Sequence, residues 1–257
     1  MDIGTAKVTA AQRALVPHHG LDLVEPDEPF SAADFRRAAL DALNGIAARG
    51  GVALLVGGTG LYLRAVARGV TLEDTGHDVE LRAGLERRLA GEGLQVLVAL
   101  LRSSAPGVAA RTDLANPRRV VRALERASVH GDRLPPKPHG YPARSVWIGL
   151  ALEPSENARR IEARARAQFA GGLLDEAAAL RARFDPQERA FSAVGYREAF
   201  AVLTGEWSVG EAIDRTVRRT RQFAKRQRTW FRAEPGVKWF DAAIPDLAAA
   251  ALRLVSA

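Results

Sequence analysis

Val52-Ala53-Leu54-Leu55-Val56, followed by Gly57-Gly58-Thr59-Gly60, is the stretch that decides the fold. The apolar run has the length of a strand, and the glycines beside it indicate a strand that is buried on both faces. Residues 61–68 predict a helix, and an earlier helix is predicted from Ser31 to the Gly50-Gly51 pair. Helix, strand, glycine turn and helix in this order are typical of an α/β sheet domain.

The rest of the chain is mainly helical by its pattern. Residues 79–126 alternate apolar and charged positions at helical spacing, although residues 94–101 are almost all apolar and fit either a strand or a buried helix. Residues 134–138 contain three prolines and predict a rigid extended connection. Residues 145–150 predict a second buried strand, and helices are expected from Pro154 to Phe231.

Composition limits the possible function classes. The chain has 257 residues, of which 47% are hydrophobic and 26% charged, as in globular proteins. It contains no cysteine, which excludes disulfides and thiolate metal sites. The same lack of cysteine favours a reducing compartment, so we expect a cytoplasmic protein. No apolar run reaches the roughly 20 residues of a membrane span, so no membrane partner is expected. The formal net charge of +7 favours a phosphate-bearing partner if the charge is clustered.

The glycine turn, defined here as Gly57-Gly58-Thr59-Gly60, has the composition of an anion site. Glycines let backbone N–H groups approach a phosphate closely, and the helix that follows adds partial positive charge. The Thr59 hydroxyl can donate to a phosphate or hold a nucleophile. An ordinary tight turn between a strand and a helix explains the same residues, and the turn alone does not decide between the two.

The last long helix predicts a basic surface. Ser208 and Glu211 form a capping box at its start. Five basic residues recur at spacings of three and four on one face, which we call the cationic stripe: Arg218, Arg221, Lys225, Arg228 and Arg232. A second face is apolar and contains Ile213, Val217, Ala224 and Phe231. Because no acid follows Asp214 until Glu234, the stripe favours contact with phosphate or nucleic acid over an ordinary solvated face.

Two further basic clusters support an RNA partner. Arg118, Arg119 and Arg122 form one, and a run from Arg159 to Arg166 forms the other. Each alone is most often plain surface, but three clusters in one chain favour a nucleic-acid backbone. His18-His19 lacks the spacing of metal ligands, and no metal-binding residue is predicted in this chain.

An ordered set of motifs resembles one family, the tRNA dimethylallyltransferases. The motifs in chain order are Met1-Asp2-Ile3-Gly4-Thr5-Ala6-Lys7, Pro17-His18-His19 with Asp22, Ser31-Ala32-Ala33-Asp34-Phe35, Gly57-Gly58-Thr59-Gly60-Leu61-Tyr62, Arg119-Val120-Val121-Arg122-Ala123-Leu124-Glu125, Val194-Gly195-Tyr196, Thr220-Arg221-Gln222-Phe223-Ala224-Lys225-Arg226-Gln227 and Thr229-Trp230-Phe231-Arg232. Each motif is weak alone, but together they span nearly the whole chain.

The resemblance implies a fold and a reaction. The fold is α/β, with a parallel sheet core like that of phosphate-loop NTPases and an inserted helical tRNA-binding domain. We expect residues 1–72 and 127–257 to form the core and residues 73–126 the insertion. The implied reaction is Mg²⁺-assisted transfer of a dimethylallyl group from dimethylallyl diphosphate to N6 of adenosine 37, in tRNAs that read codons beginning with U. The anticodon stem-loop is the implied partner, and a monomer is expected.

The resemblance also assigns roles to residues. Thr59 is the implied catalytic residue and is expected to meet the tRNA as well. The other tRNA contacts that the resemblance implies are Arg82, Arg118, Arg119 and Arg122, and the cationic stripe adds Arg221, Lys225 and Arg228. The expected diphosphate contacts are Gly57, Gly58, Arg160 and Arg164.

In the family, the motif at Met1 is internal, and the first strand, the phosphate loop and an aspartate-bearing segment precede it. The resemblance therefore implies that these parts are encoded upstream of Met1, and an intact native mass above 27.7 kDa is expected. The alternative is a catalytically dead truncation product that binds tRNA. Two other classes are open. The arginine clusters argue against a transferase of free adenine nucleotides. The glycine turn argues against a helical nucleic-acid-binding regulator.

Overall fold

The computed structural model describes residues 1–70, 78–133 and 139–256, and the chain divides into two compact units. Unit 1 consists of Met1–Ser31, Ala38–Leu63 and Ala143–Ala257, and unit 2 of Ala32–Arg37 and Arg64–Pro142. The connection predicted at residues 134–138 lies outside the described residues. The domain boundaries expected from the sequence, at residues 73 and 126, stay a prediction.

Unit 2 contains a group of helices that pack around one core. They are α4 (Val79–Glu92), α5 (Leu94–Ser104), α6 (Pro106–Ala109) and α7 (Pro117–His130). Leu97, Val98 and Leu101 of α5 point into the core, and this spacing of one, three and four residues belongs to a helix face. Residues 94–101 are therefore a buried helix, and the helical prediction for residues 79–126 is confirmed.

Unit 1 holds five helices of the C-terminal half of the chain. They are α8 (Pro154–Ala170), α9 (Leu173–Arg181), α10 (Tyr196–Leu203), α11 (Val209–Arg232) and α12 (Leu247–Ser256), with a 3₁₀ turn at Arg189–Ser192. The largest core of this unit joins α9, α10 and the start of α11, and includes Phe169, Leu173, Phe191, Tyr196 and Phe200. The predicted helical region between Pro154 and Phe231 is confirmed.

A small parallel sheet completes unit 1. Strand β1 (Ile148–Ala151) pairs with β2 (Lys238–Asp241), and Ile148 lies opposite Lys238. The strand predicted at residues 145–150 is thus present but begins later. It is also less buried than predicted, since the Leu150 side chain is 55% exposed. The described part of the chain supplies β1 with one neighbouring strand, β2.

The prediction of a buried strand at residues 52–56 is wrong for this structure. The run has no assigned strand, and Val52, Leu54 and Val56 are 80–85% exposed. A strand needs a neighbour to take up its backbone N–H and C=O groups. No strand within residues 1–70, 78–133 and 139–256 pairs with this run, and only Ala53 and Leu55 of its side chains are substantially covered.

The helices on either side of this run form as predicted. Helix α1 (Ala10–Leu15) comes first, and α2 (Ala32–Ala48) begins directly after Ser31. Gly50 follows α2 with a φ of 68°, in the left-handed region that glycine favours at helix ends. Helix α3 (Gly60–Arg64) follows the glycine turn and continues into a π-helical turn, Ala65–Gly69. None of the described helices is both long and apolar enough to cross a membrane.

Candidate functional site

The glycine turn starts helix α3. The Thr59 carbonyl accepts hydrogen bonds from the backbone N–H groups of Tyr62, at 2.9 Å, and Leu63, at 3.3 Å. Thr59 is therefore the residue at which the helical hydrogen bonds begin, and its side chain is exposed. A hydroxyl at the beginning of a helix lies where anions are stabilised by the helix N-terminus.

Helix α11 approaches the glycine turn more closely than other residue types would permit. The Gln227 Nε2 donates to the Gly58 carbonyl at 3.1 Å, and a Cβ on Gly58 would lie 1.9 Å from that nitrogen. Gly60 is buried under Trp230, where a Cβ would come within 2.1 Å of the ring. Both glycines are thus explained by contact with α11, and the sequence did not reveal this contact.

The capping box and the apolar face of α11 are confirmed. The Ser208 Oγ accepts from the Glu211 backbone N–H at 3.3 Å, and Glu211 Oε2 accepts from the Ser208 backbone N–H at 2.8 Å. Ile213, Val217 and Ala224 pack against α8 through Ile161 and Ala165. This packing fixes the rotation of α11 about its own axis.

The cationic stripe faces solvent. All five of its side chains are exposed: Arg218, Arg221, Lys225, Arg228 and Arg232. Arg221 lies 4.0 Å from the Glu162 carboxylate of α8, at the outer limit of an ion pair. An exposed row of cations along a rigid helix is suited to a polyanion, because phosphates displace only water and weakly held counterions.

Arg219 belongs to the same helix but has a different role. Its Nη1 lies 2.6 Å from Glu198 Oε1, and its Nη2 donates to the Ser192 carbonyl at 2.8 Å. The Glu198 side chain is 2% exposed and also accepts from the Gly195 backbone N–H at 2.9 Å. Arg219 therefore ties α11 to the start of α10, and sequence spacing did not separate it from the surface arginines.

The expected diphosphate contacts on α8 differ in their surroundings. Arg160 donates to Glu156 at 2.6 Å, and Arg159 donates to the same carboxylate at 2.8 Å. These hydrogen bonds lower the pKa of Glu156 to about 2, and the bond from Arg159 has the largest effect. Arg164 is exposed to solvent. A diphosphate would therefore have to compete with Glu156 for Arg160.

In unit 2, a buried carboxylate organises two of the expected tRNA contacts. Glu125 accepts from Arg82 at 2.6 and 2.9 Å and from Arg122 at 3.3 Å. Burial raises the pKa of the Glu125 carboxyl, but the hydrogen bonds and charges of Arg82 and Arg122 outweigh burial and leave that pKa below its ordinary value. Arg118 is exposed, and Arg119 lies 3.2 Å from Asp113. Sequence reasoning quoted Glu125 within a motif but did not foresee its role.

The N-terminal motif is held by a partly buried carboxylate. Glu176 accepts from the backbone N–H groups of Ile3, at 3.1 Å, and Gly4, at 3.3 Å, and from the Tyr196 hydroxyl at 2.8 Å. Burial raises the pKa of Glu176, but hydrogen bonds, chiefly from the backbone of Asp2 and the hydroxyl of Tyr196, together lower it. Two motifs nearly 200 residues apart, at Met1 and at Val194, thus meet in one site. A cleft of about 500 Å³ opens beside this segment and is lined by Lys7 and Arg13.

The expected site residues fall in both units. Unit 1 contains Gly57, Gly58, Thr59, Arg160, Arg164, Arg221, Lys225 and Arg228, and unit 2 contains Arg82, Arg118, Arg119 and Arg122. Within unit 1 the glycine turn contacts the helix that bears the stripe, and within unit 2 Arg82 and Arg122 share one carboxylate. Over the described ranges, no group of three or more His, Cys, Asp or Glu side chains is placed to hold a metal ion.

Comparison with known proteins gives consistent results. A family model described as IPP transferase matches residues 1–234. The chain is 48% identical over 245 residues to the tRNA dimethylallyltransferase of Anaeromyxobacter sp. (strain K), a match that covers 93% of this chain and 79% of that protein. It is 44% identical over 261 residues to the tRNA dimethylallyltransferase of Salinispora arenicola (strain CNS-205), covering 100% of this chain and 75% of that protein.

Solved structures agree in fold. The tRNA isopentenylpyrophosphate transferase of Bacillus halodurans is 38% identical, with a TM-score of 0.70, over 100% of this chain and 82% of that one. A eukaryotic dimethylallyltransferase acting on tRNA has a TM-score of 0.75 at 22% identity, over 98% of this chain and 67% of that one, and it supports the fold alone. The predicted fold class, an α/β fold of the phosphate-loop NTPase type, is confirmed.

Proposed function

The chain belongs to the IPP transferase family, whose matched relatives are tRNA dimethylallyltransferases, and from this membership we propose its reaction. A dimethylallyl group passes from dimethylallyl diphosphate to N6 of adenosine 37 in tRNAs that read codons beginning with U. The C–O bond to the diphosphate breaks, a C–N bond to the adenine forms, and a base takes the proton that the amine releases. The comparisons lend no support to the alternative of a catalytically dead binding product.

The single observation that carries the proposal is the contact between the glycine turn and α11. One helix holds the turn that bears Thr59, through Gln227 and Trp230, and also displays five exposed cations. A prenyl transfer to RNA needs both parts close together, because the acceptor base must reach the reacting diphosphate while its backbone is held. An enzyme that acts on free nucleotides would not need the row of exposed cations, because a free nucleotide has no phosphate backbone to hold.

The leaving group determines what the residues that bind the diphosphate must do. Negative charge develops on the diphosphate as its C–O bond breaks, so donors aimed at it lower the barrier. We assign this role to the backbone of Gly57 and Gly58 and to Arg160 and Arg164. Arg160 would exchange its Glu156 partner for diphosphate oxygens, and Thr59 would hold the adenine or a phosphate oxygen through its hydroxyl.

The RNA side is assigned to cations in each unit. Arg221, Lys225 and Arg228 of the stripe would bind backbone phosphates of the anticodon stem-loop, and so would Arg118 and Arg119 of α7. Arg82 and Arg122 would bind it from their places beside Glu125. We further propose that residues 73–126 act as the tRNA-contacting insertion, that the enzyme is a monomer, and that it works in the cytoplasm.

Mg²⁺ is the proposed cofactor on the basis of family membership. The described residues do not fit a metal site of their own, since no three ligating side chains are grouped. Mg²⁺ is commonly held by one or two carboxylates together with substrate phosphates. No step of the reaction is assigned here to a metal held by these residues.

The test is prenyl transfer by the native protein, isolated from its own cell so that its natural N-terminus is kept. Total tRNA and dimethylallyl diphosphate are the substrates, and mass spectrometry of the digested nucleosides detects N6-dimethylallyladenosine. Mapping of the product should place it at position 37 and only in tRNAs for codons beginning with U. Transfer to free adenine nucleotides, or no transfer at all, would contradict the proposal.

A paired substitution tests the role of Thr59. Thr59→Ala should lower kcat by about 10-fold or more, the loss expected when a positioned donor is removed near the reacting atoms. Thr204→Ala is the matched control, because the Thr204 hydroxyl donates to the Phe200 carbonyl at 3.1 Å at the end of α10. Equal rates in the two variants would remove Thr59 from the proposed mechanism.

A further inference from the structure

We propose that Gln227 is a positioning residue, and that Gln227 and Trp230 of α11 fix the glycine turn and so set the place of Thr59. This inference rests on the proposed function, since it explains how the turn that serves the reaction is held. Gln227 is not a predicted substrate contact, and neither composition nor spacing distinguishes it from its neighbours. Its amide nitrogen donates to the Gly58 carbonyl at 3.1 Å.

Helix α11 contacts the turn at both Gly58 and Gly60. Val52, Leu54 and Val56 are 83%, 85% and 80% exposed, and no described strand pairs with them. On the other side, α3 spans only Gly60–Arg64 before it changes to a π-helical turn. The contacts with α11 therefore act on a turn that no described strand ties into a sheet.

The contact is tight and specific at both glycines. A side chain on Gly58 would meet Gln227 at 1.9 Å, and a side chain on Gly60 would meet Trp230 ring atoms at 2.1 to 2.3 Å. Gln227 can move aside, since the conflict is with the end of a flexible side chain. Trp230 has a rigid ring that also lies 4.8 Å from the Phe231 ring, centroid to centroid. The Trp230 ring therefore limits how closely Gly60 can approach α11. The Gln227 amide fixes the orientation of the Gly58 carbonyl.

The geometry of α11 separates this support from the stripe. With about 100° between successive residues, Gln227 and Trp230 lie on the side of the helix away from the centre of the stripe. The apolar residues Ile213, Val217 and Ala224 meanwhile hold the helix against α8. One rigid element thus presents cations on one side and orients the turn on another.

The central experiment compares Gln227→Glu with Gln222→Glu. Both variants add one negative charge to α11, but Gln222 is exposed, whereas Gln227→Glu replaces the donor to Gly58 with an acceptor. In the native-length enzyme we expect kcat to fall about 10-fold or more for Gln227→Glu, with KM for tRNA within about 2-fold of the Gln222→Glu value. Equal kcat values, or a loss confined to KM, would overturn the positioning role.

Hydrogen exchange gives a readout that does not need activity. The N–H groups of Tyr62 and Leu63 donate to the Thr59 carbonyl, so their exchange reports the order of the turn. Gln227→Glu should speed exchange in residues 59–63 by about 10-fold, and Gln222→Glu should leave it unchanged. If the wild-type enzyme transfers no prenyl group, the proposed function fails, while unchanged exchange in Gln227→Glu would overturn the support of the turn by itself.

A double-substitution cycle guards against a general folding defect. Gly58→Ala alone should speed exchange in residues 59–63, because the new methyl group displaces the Gln227 amide. Gln227→Ala makes room for that methyl group. Gly58→Ala should therefore speed exchange in residues 59–63 much less in the Gln227→Ala background than in the wild type. Additive effects of the two substitutions would show that the residues do not interact and would contradict the proposal.

Discussion

Glu125 is the residue whose surroundings most change the interpretation of the unit 2 arginines. Its side chain is 7% exposed. Both of its carboxylate oxygens accept hydrogen bonds from Arg82, and one of them also accepts from Arg122. A bidentate pair of this kind fixes a guanidinium more firmly than an isolated contact does. Glu125 therefore restrains the Arg82 and Arg122 side chains in advance, which would lower the entropy cost of the RNA contacts proposed for them.

Glu125→Gln should lower the free energy of unfolding by about 1–2 kcal/mol, because a charged hydrogen-bonding partner is lost while water partly screens Arg82. Urea denaturation measures this change. The control is Glu92→Gln, which removes the carboxylate of an exposed pair with Arg88 at 2.9 Å and should leave stability unchanged. A larger loss in Glu92→Gln than in Glu125→Gln would contradict the assignment.

The same pair predicts a pH dependence. The pKa of Glu125 is lower in the folded protein than its ordinary value, so the folded state binds fewer protons at this group than the unfolded state does. The stability due to Glu125 is fully present above its unfolded pKa of about 4.3 and is lost as the pH falls through the lower folded pKa. The stability difference between wild type and Glu125→Gln should therefore shrink below about pH 4.3, and a difference that grows there would contradict the pairing.

Gly4 shows how a single hydrogen atom can be required at a buried contact. A Cβ at this position would lie 2.4 Å from the Tyr196 ring, and Tyr196 is fully buried. Gly4→Ala should therefore destabilise the protein by about 1–3 kcal/mol, as overpacking does. Gly45→Ala in α2 meets nothing closer than 3.6 Å and should stabilise by about 0.5–1 kcal/mol. Urea denaturation of both variants should give opposite signs, and the same sign would refute the contact.

At the scale of elements, α11 makes the clearest prediction for RNA. Arg228→Gln should weaken tRNA binding at low salt and lower the slope of log Kd against log salt by about 0.7–0.9, the value for one lost phosphate contact. Arg181→Gln, at the exposed end of α9, makes the same change in net charge and should leave the slope unchanged. Equal slopes for the two variants would mean that the stripe acts only through overall charge.

The sequence predicted α11 well because all the information for it is local. Its capping box, apolar face and cationic stripe recur within 25 residues and follow helical spacing, and the structure confirms the box, the solvent exposure of the stripe and the packing of Ile213, Val217 and Ala224. The strand prediction for residues 52–56 was wrong because the deciding information is not local. The apolar pattern of this run is that of a strand, but a strand exists only where a partner takes up its hydrogen bonds, and pattern alone does not supply one.

The contacts that organise the candidate site were equally hidden from the sequence. Gln227 contacts Gly58, which lies 169 positions earlier in the chain. Tyr196 contacts Glu176 and Gly4. The spacing of residues in the sequence does not reveal such contacts between distant segments. Motif resemblance identified several of these residues without giving their contacts. Glycine was the one available signal, since Gly4, Gly58 and Gly60 each mark a place where another part of the chain comes too close for a Cβ.

At the scale of the whole molecule, the chain has separate cores in its two units. Leu101 of α5 is fully buried in the core of unit 2, and Leu173 of α9 is fully buried in the main core of unit 1. The residues described for these clusters have no member in common. Compact units with their own cores are able to unfold as separate cooperative groups.

A reciprocal pair of substitutions tests this independence. Leu101→Ala and Leu173→Ala remove the same atoms from equally buried sites, and each should cost its own core about 2–5 kcal/mol. Leu101→Ala should speed amide exchange in α5 and α7 while α9 and α10 keep their protection, and Leu173→Ala should do the reverse. If either variant speeds exchange in all four helices, the units unfold together. The reciprocal result would mean that the unit 2 arginines can be altered without disturbing the glycine turn and its support on α11.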